Sequence, residues 1–218
     1  YPPDHTRLRR LVSKAFTPRT IEGLAPVVDG LVAQALDRIA DLGEADLLDE
    51  LAFPLPFTVI SSMLGMPESD VTRLRELSAI IVRSLEPVPD PDTLRAIIAA
   101  EIEMSERTAE AIAWKRDHPA ADLLTALINV HDGDDVLSDE ELVSQVILLY
   151  VAGHETTVNL IGNGSYALLE DGEQAALLRT SPGIDENAGV ERVLCDSPVQ
   201  FSGRVTAEDY ETAASFIP

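Results

Sequence analysis

In the stretch LLYVAGHETTVNLIGNG, residues 148–164, an apolar run is interrupted by Gly153, His154, Glu155, Thr156 and Thr157 before it resumes at Val158. A carboxyl group next to hydroxyls can hold and pass protons, so Glu155 and Thr156 are candidates for acid–alcohol chemistry beside a bound group. At about 100° per residue, Ala152, Glu155, Thr156, Asn159 and Asn163 fall on one stripe of a helix. Gly153 removes a side chain beside that stripe. Threonine hydroxyls inside a helix bond back to the carbonyl four residues earlier, which bends the ladder and makes room for water or a diatomic molecule. A buried glutamate costs too much unless it is paired, protonated or wet. A helix that merely surfaces into solvent would show the same pattern, and periodicity does not choose between the two. A zinc-peptidase reading fails, because it needs a second histidine four residues after His154 and Val158 stands there.

The helix that carries these groups spans residues 139 to about 169, opened by a capping box with Ser138 at the N-cap and Glu141 three residues on. Upstream, Asp4 is placed to cap a helix through HTRLRRLVSKAF with Leu8, Leu11, Val12 and Ala15 on one face. Thr17 and Pro18 form an N-cap and first position for a second helix, running through Ile21, Leu24, Val28, Leu31, Ala35 and Ile39 to a stop at Gly43. Pro54 and Pro56 fit the first turn of the next helix or its approach. Helices over 67–85 and 92–115 follow, parted by the proline-rich EPVPDPD, then a short helix in ADLLTALINV and an acidic loop, HDGDDVLSDEE. Two short helices near 173–179 and 185–195 precede SPVQFSGRVTAEDYE, which reads as one or two strands. The expectation is one mainly α domain over 1–218 with a small β element near its end.

Composition narrows the function. A net charge of -22 is the wrong sign for a nucleic-acid partner. Arg7, Arg9, Arg10, Lys14 and Arg19 nevertheless crowd one end, either as helix solvation or as a local anion or partner site. Cys195 is the only cysteine, which excludes an internal disulfide and a cysteine-rich metal site and fits a reducing, cytoplasmic setting. No signal-peptide pattern opens the chain, and no apolar run is long enough for a membrane span. The sequence begins at Tyr1 and ends at Ile217-Pro218, and reads as cut at both ends.

In these features the chain resembles the soluble bacterial cytochromes P450. AGHETT resembles the family's central I-helix motif, DHTRLRRLVSKAFTPR its C helix and the following turn, AFPLPFTVISSMLGMPE its E helix leading to F, and DSPVQFSGRVTAEDYE the strands after helix K. The resemblance implies a helical P450 fold, incomplete here, and a monooxygenase that inserts one atom of O2 into an apolar small molecule. It implies haem b as cofactor, a ferredoxin-type electron donor with its reductase as partners, and neither nucleic acid nor membrane. It makes Glu155 and Thr156 the proton-delivering pair, with Ala152 and Gly153 flanking the oxygen pocket. It makes His5, Arg9 and Arg204 ligands of the haem propionates; the first two, spaced i and i+4, share a helix face and offer donors to a carboxylate. Arg7, Arg10 and Lys14 then become a docking patch for the electron donor.

The resemblance also breaks. The family's axial thiolate lies in a glycine-rich loop, FGxGxHxCxG, that this sequence does not contain, so no metal ligand is assigned. Cys195 follows ERVL in the helix K region and lacks those surroundings. Relatives read E-x-x-R in helix K, whereas here Glu191 is followed by Arg192 and Val193, with Leu194 in the arginine position. A fragment inactive alone is one expectation; a degenerate helical module that binds a partner or ligand without haem chemistry is the alternative. The DNA encoding the residues beyond Pro218 separates them, since only the first reading expects a cysteine loop there.

Overall fold

The computed structural model describes residues 3–66, 68–85, 90–181, 183, 196–199, 210–211 and 216–217. Helix α1 (Asp4–Ala15) is followed by α2 (Pro18–Glu22), α3 (Ala25–Leu42), a π-turn (Leu48–Ala52) and α4 (Pro54–Leu64). Then come α5 (Glu68–Ile81) with a 3-10 turn (Val82–Leu85), α6 (Pro91–Asp117) and α7 (Leu123–Asn129). A hairpin of β1 (His131–Asp132) and β2 (Asp135–Val136) leads into α8 (Asp139–Glu170) and α9 (Gly172–Thr180). Strands β3 (Tyr210–Glu211) and β4 (Phe216–Ile217) pair antiparallel near the C-terminus. The mainly α architecture with a small β element is the one that composition and pattern predict.

The capping chemistry explains most boundaries. Ser138 Oγ accepts from Glu141 N at 3.2 Å while Glu141 Oε2 accepts from Ser138 N at 2.9 Å, so the predicted capping box opens α8. Asp90 and Asp122 cap α6 and α7 through Thr93 N and Thr125 N, each at 2.8 Å. Thr17 Oγ1 accepts from Thr20 N at 3.2 Å, as expected for an N-cap before Pro18. Gly43 ends α3 with φ 75°.

Several expectations change. Asp4 lies in the first turn of α1, where its charge suits the helix dipole, and Pro3 holds the N-cap position without a side-chain bond. The single helix expected from residue 18 to Gly43 is broken between Glu22 and Ala25, because Pro26 has no amide to offer Glu22 and its ring collides with that carbonyl. The approach to Pro54 is a π-turn closed by Phe53 N donating to Leu48 O at 2.8 Å. The acidic loop is a tight hairpin with His131 opposite Val136 and Asp132 opposite Asp135, turned by Gly133 at φ 63°. Residues 86–89, and the short helix expected over 185–195, lie outside the described residues.

The core forms where α4, α5, α6 and α8 meet, around Phe57, Leu64, Leu77, Met104, Val146 and Tyr150. One polar element is locked into this frame. Lys115 Nζ meets Asp122 Oδ2 at 2.6 Å, with side chains only 4% and 10% exposed, while Asp122 Oδ1 caps α7. Gly65 ends α4 at φ 64°, and a Cβ there would lie 2.7 Å from Asp122 Cγ and 2.8 Å from Lys115 Nζ. The turn therefore needs glycine for its backbone angle and for the approach of the ion pair. Lys115→Ala, which strands a buried carboxylate, should lower the urea unfolding free energy by about 3–5 kcal/mol. Gly65→Ala should also destabilise, by at least about 1 kcal/mol; unchanged midpoints for both would show that this pair is not a structural lock.

Candidate functional site

Helix α8 is oriented by what it buries. Tyr150, His154 and Val158, spaced four apart, are all buried, at 0%, 1% and 2% exposure. Phe57 of α4 stacks on Tyr150 with ring centroids 5.1 Å apart and meets His154 edge-on at 5.4 Å. His154 Nε2 lies 3.3 Å from Phe53 O, at the junction of the π-turn and α4. A carbonyl can only accept, so Nε2 carries the proton, and Nδ1 is a buried acceptor with no hydrogen-bond donor among the described residues. Burial holds the His154 pKa below the usual imidazole value; the Phe53 carbonyl opposes that shift and Arg75 adds to it.

With that face fixed against α4, Ala152 and Thr156 come out on the opposite side of α8. Ala152 is exposed, while Glu155, Thr156, Asn159 and Asn163 are half-buried, so the stripe is neither core nor open surface. Thr156 Oγ1 donates to Ala152 O at 2.6 Å and Thr157 Oγ1 donates to Gly153 O at 3.1 Å, the back-bonding anticipated from the sequence. Asn159 Nδ2 donates to Pro198 O at 3.2 Å. Gly153 borders the stripe, but a Cβ there would point at Ile60 Cδ1 of α4, 3.7 Å away, so its open side is toward α4. A hollow of about 400 Å³ continues the stripe toward the C-terminus of α8, between Leu48, Phe53, Asn159, Gly162, Asn163 and Tyr166. Glu155 and Thr156 are not among its lining residues.

On α1, His5 and Arg9 are exposed, and among the described residues no carboxylate occupies either side chain. Imidazole and guanidinium held one turn apart suit the carboxylates of a haem edge, and a small exposed alanine on α8 suits close approach of a flat apolar group. These donors and this stripe fit haem; the fit does not extend to the axial ligand. Arg204, Cys195, Glu191 and Leu194 lie outside the described residues.

Arg7, Arg10 and Lys14, expected as a docking patch, form ion pairs within the chain. Arg7 bonds Glu141 and lies 3.5 Å from Asp135 Oδ1; Arg10 reaches Asp135 Oδ2 at 3.1 Å and also pairs with Asp132. Lys14 Nζ reaches Asp132 Oδ1 at 2.6 Å. The row is not a free cationic patch, because the chain supplies its own acidic partner. The signal was present in sequence as three cations spaced i, i+3 and i+7 and an acid-rich turn, but not the fold that joins them. His154 was also legible as a member of the row Tyr150, His154, Val158, although it is assigned to no face from the sequence.

No family model matches the sequence. The whole chain is 46% identical over 218 residues to cytochrome P450 107B1 of Saccharopolyspora erythraea, covering 52% of that protein. It is 38% identical over 218 residues to the 6-deoxyerythronolide B hydroxylase of the same organism, covering 53%. A crystal structure of P450BioI, in complex with acyl carrier protein ligated by hexadec-9Z-enoic acid, matches with TM-score 0.92 at 34% identity, over 100% of this chain and 56% of that one. The chain spans about half the length of the curated relatives it matches. Among the described residues no helix is long and apolar enough to cross a membrane.

His154 provides a pH test of the α8 anchor. Its folded pKa is depressed, so its contribution to stability is complete above the ordinary value near 6.5 and is lost as pH falls through the folded pKa. The stability difference between the wild type and His154→Gln should therefore shrink as pH drops from about 7.5 to about 5. A difference that stays constant across this window would mean that the imidazole is not held neutral.

Proposed function

Since the chain belongs to the cytochromes P450, about half of whose length it spans in its bacterial relatives, we propose that it serves haem-thiolate monooxygenation of an apolar small molecule. The observation that carries the reading is the α8 stripe: a half-buried Glu155 beside Thr156, turned away from the buried His154 face and bordered by exposed Ala152. Haem, when bound, supplies the iron at which O2 is reduced, one atom entering the substrate and the other leaving as water.

The chain's own residues have separable tasks. Thr156 Oγ1 holds its proton toward Ala152 O, which leaves the oxygen lone pairs directed away from the helix to accept from water or to exchange that proton with a neighbour. Glu155, one residue earlier, is a carboxyl group able to load that relay from solvent. Ala152 keeps the approach narrow but open. His5 and Arg9 bind and orient the cofactor's carboxylates from α1, and Arg204 is the third such donor. Electrons come from a ferredoxin-type protein with its reductase; Arg7, Arg10 and Lys14, the docking patch expected from the resemblance, also pair with carboxylates of this chain. That P450BioI binds a fatty-acyl carrier protein and that a 6-deoxyerythronolide B hydroxylase is among the relatives supports an apolar substrate.

The competing reading, a helical module without haem chemistry, draws on Leu194 in place of the helix K arginine. Titration with ferric protoporphyrin IX, followed in the Soret band, tests the choice. His5→Ala/Arg9→Ala should weaken binding by about 10- to 100-fold, the scale of two charge-assisted hydrogen bonds. Equal binding by the wild type and this double variant, or no saturable binding by either, contradicts the haem reading and favours the module.

A further inference from the structure

The pairing of Arg7, Arg10 and Lys14 has a geometric consequence for α1. This helix buries only Leu11 and Ala15, and its main helix partner among the described residues is the short α7. Val12 and Phe16, beside these two, are packed against the core only in part, so the cations add to a modest apolar contact in setting the rotation of α1. Arg7, Arg10 and Lys14 form one edge of α1, next to the apolar face; all three engage the β1–β2 hairpin, and Arg7 also engages the start of α8. Arg7 Nη1 also donates to Val136 O at 3.3 Å, and Lys14 Nζ donates to His131 O at 3.1 Å. The hydrogen bond from Lys14, with the nearby charge of Arg10, holds the Asp132 carboxyl below the usual carboxylate range.

Glu141 joins two roles in one carboxylate. Its Oε1 receives Arg7, and its Oε2 receives Ser138 N in the capping box of α8. Arg7 therefore connects α1 to the first turn of the helix that carries Glu155 and Thr156. His5 and Arg9 stand roughly opposite Arg7 around α1, at about 160° and 200° by helical geometry. Any rotation that released the cations would swing these two donors by the same angle.

We propose that Arg7, Arg10 and Lys14 are positioning residues: with Asp132, Asp135 and Glu141 they clasp α1 to the hairpin and to the N-terminus of α8, setting the orientation in which His5 and Arg9 meet a carboxylate ligand. The clasp goes beyond the monooxygenase reading; only the identity of that ligand as haem rests on it. Exposed ion pairs are individually weak, but here six charged groups share partners across three elements, so the constraint is collective.

The test separates the clasp from the ligand. Glu141→Gln keeps a side chain able to serve the capping box while removing the charge that Arg7 meets, and Arg7→Gln removes the other half. Each should speed amide hydrogen exchange across α1 by about fivefold without altering α7, and the double variant should be no faster than either single. Raising salt from about 0.05 to about 0.5 M should speed wild-type α1 exchange more than that of the double variant, which keeps only the Arg10 and Lys14 pairs. For orientation, the wild type should prefer ferric protoporphyrin IX over its dimethyl ester, and both singles should lose most of that preference while keeping their affinity for the ester. Unchanged α1 exchange, or effects that multiply in the double variant, would overturn the clasp. Looser α1 with an intact acid-over-ester preference would overturn its orienting role. A wild type that binds both porphyrins equally would refute both the presentation of His5 and Arg9 to haem carboxylates and the orienting role, while exchange still decides whether the clasp holds α1.

Discussion

The burial of Tyr150, His154 and Val158 against α4 is the constraint on which the rest of the site depends. A helix has one rotation about its axis, and packing this row on Phe53 and Phe57 fixes it. Everything proposed for Glu155 and Thr156 follows from that angle, because they occupy the same turn as His154 and have no freedom apart from it. The imidazole is suited to this place. It fills the core beside two aromatic rings, and its one proton goes to a carbonyl at the π-turn junction. The cost is a buried nitrogen without a partner among the described residues, which burial tolerates only while the ring stays neutral.

The second frame is electrostatic. Helix α1 buries Leu11 and Ala15, with Val12 and Phe16 packed in part against the core, and the hairpin before α8 returns carboxylates to three of its cations. Two helices that carry candidate site residues are thereby connected near the start of α8, while the candidate proton relay lies four turns further along it. The buried Lys115–Asp122 pair behind Gly65 acts in the same sense, joining the ends of α4 and α6 to the start of α7.

Local chemistry was legible in the sequence, and long-range pairing was not. The capping box at Ser138 and Glu141, the stop at Gly43 and the proline entry to α4 depend on residues within a turn of one another, and they appear as expected. The break after Glu22 was missed because the apolar period continues through it, and only Pro26 forbids the helix. The clasp joins residues more than a hundred positions apart, and no periodicity encodes that distance. Read as a helix face alone, Arg7, Arg10 and Lys14 suggest a surface for an external partner; the fold adds carboxylates of the same chain beside them. The stripe at Ala152, Glu155 and Thr156 was visible as a polar line; whether it faced solvent or a sheltered space required knowing which row α4 covers.

The central claim is that this stripe faces a haem, and site-directed thiol labelling addresses it most directly. In a Cys195→Ser background, Ala152→Cys should react readily with a maleimide, and saturating ferric protoporphyrin IX should slow that reaction by more than about tenfold. A cysteine at Leu36, exposed on α3, should react at the same rate with and without the porphyrin. Equal labelling of Ala152→Cys in both conditions, despite demonstrated porphyrin binding, would contradict the account.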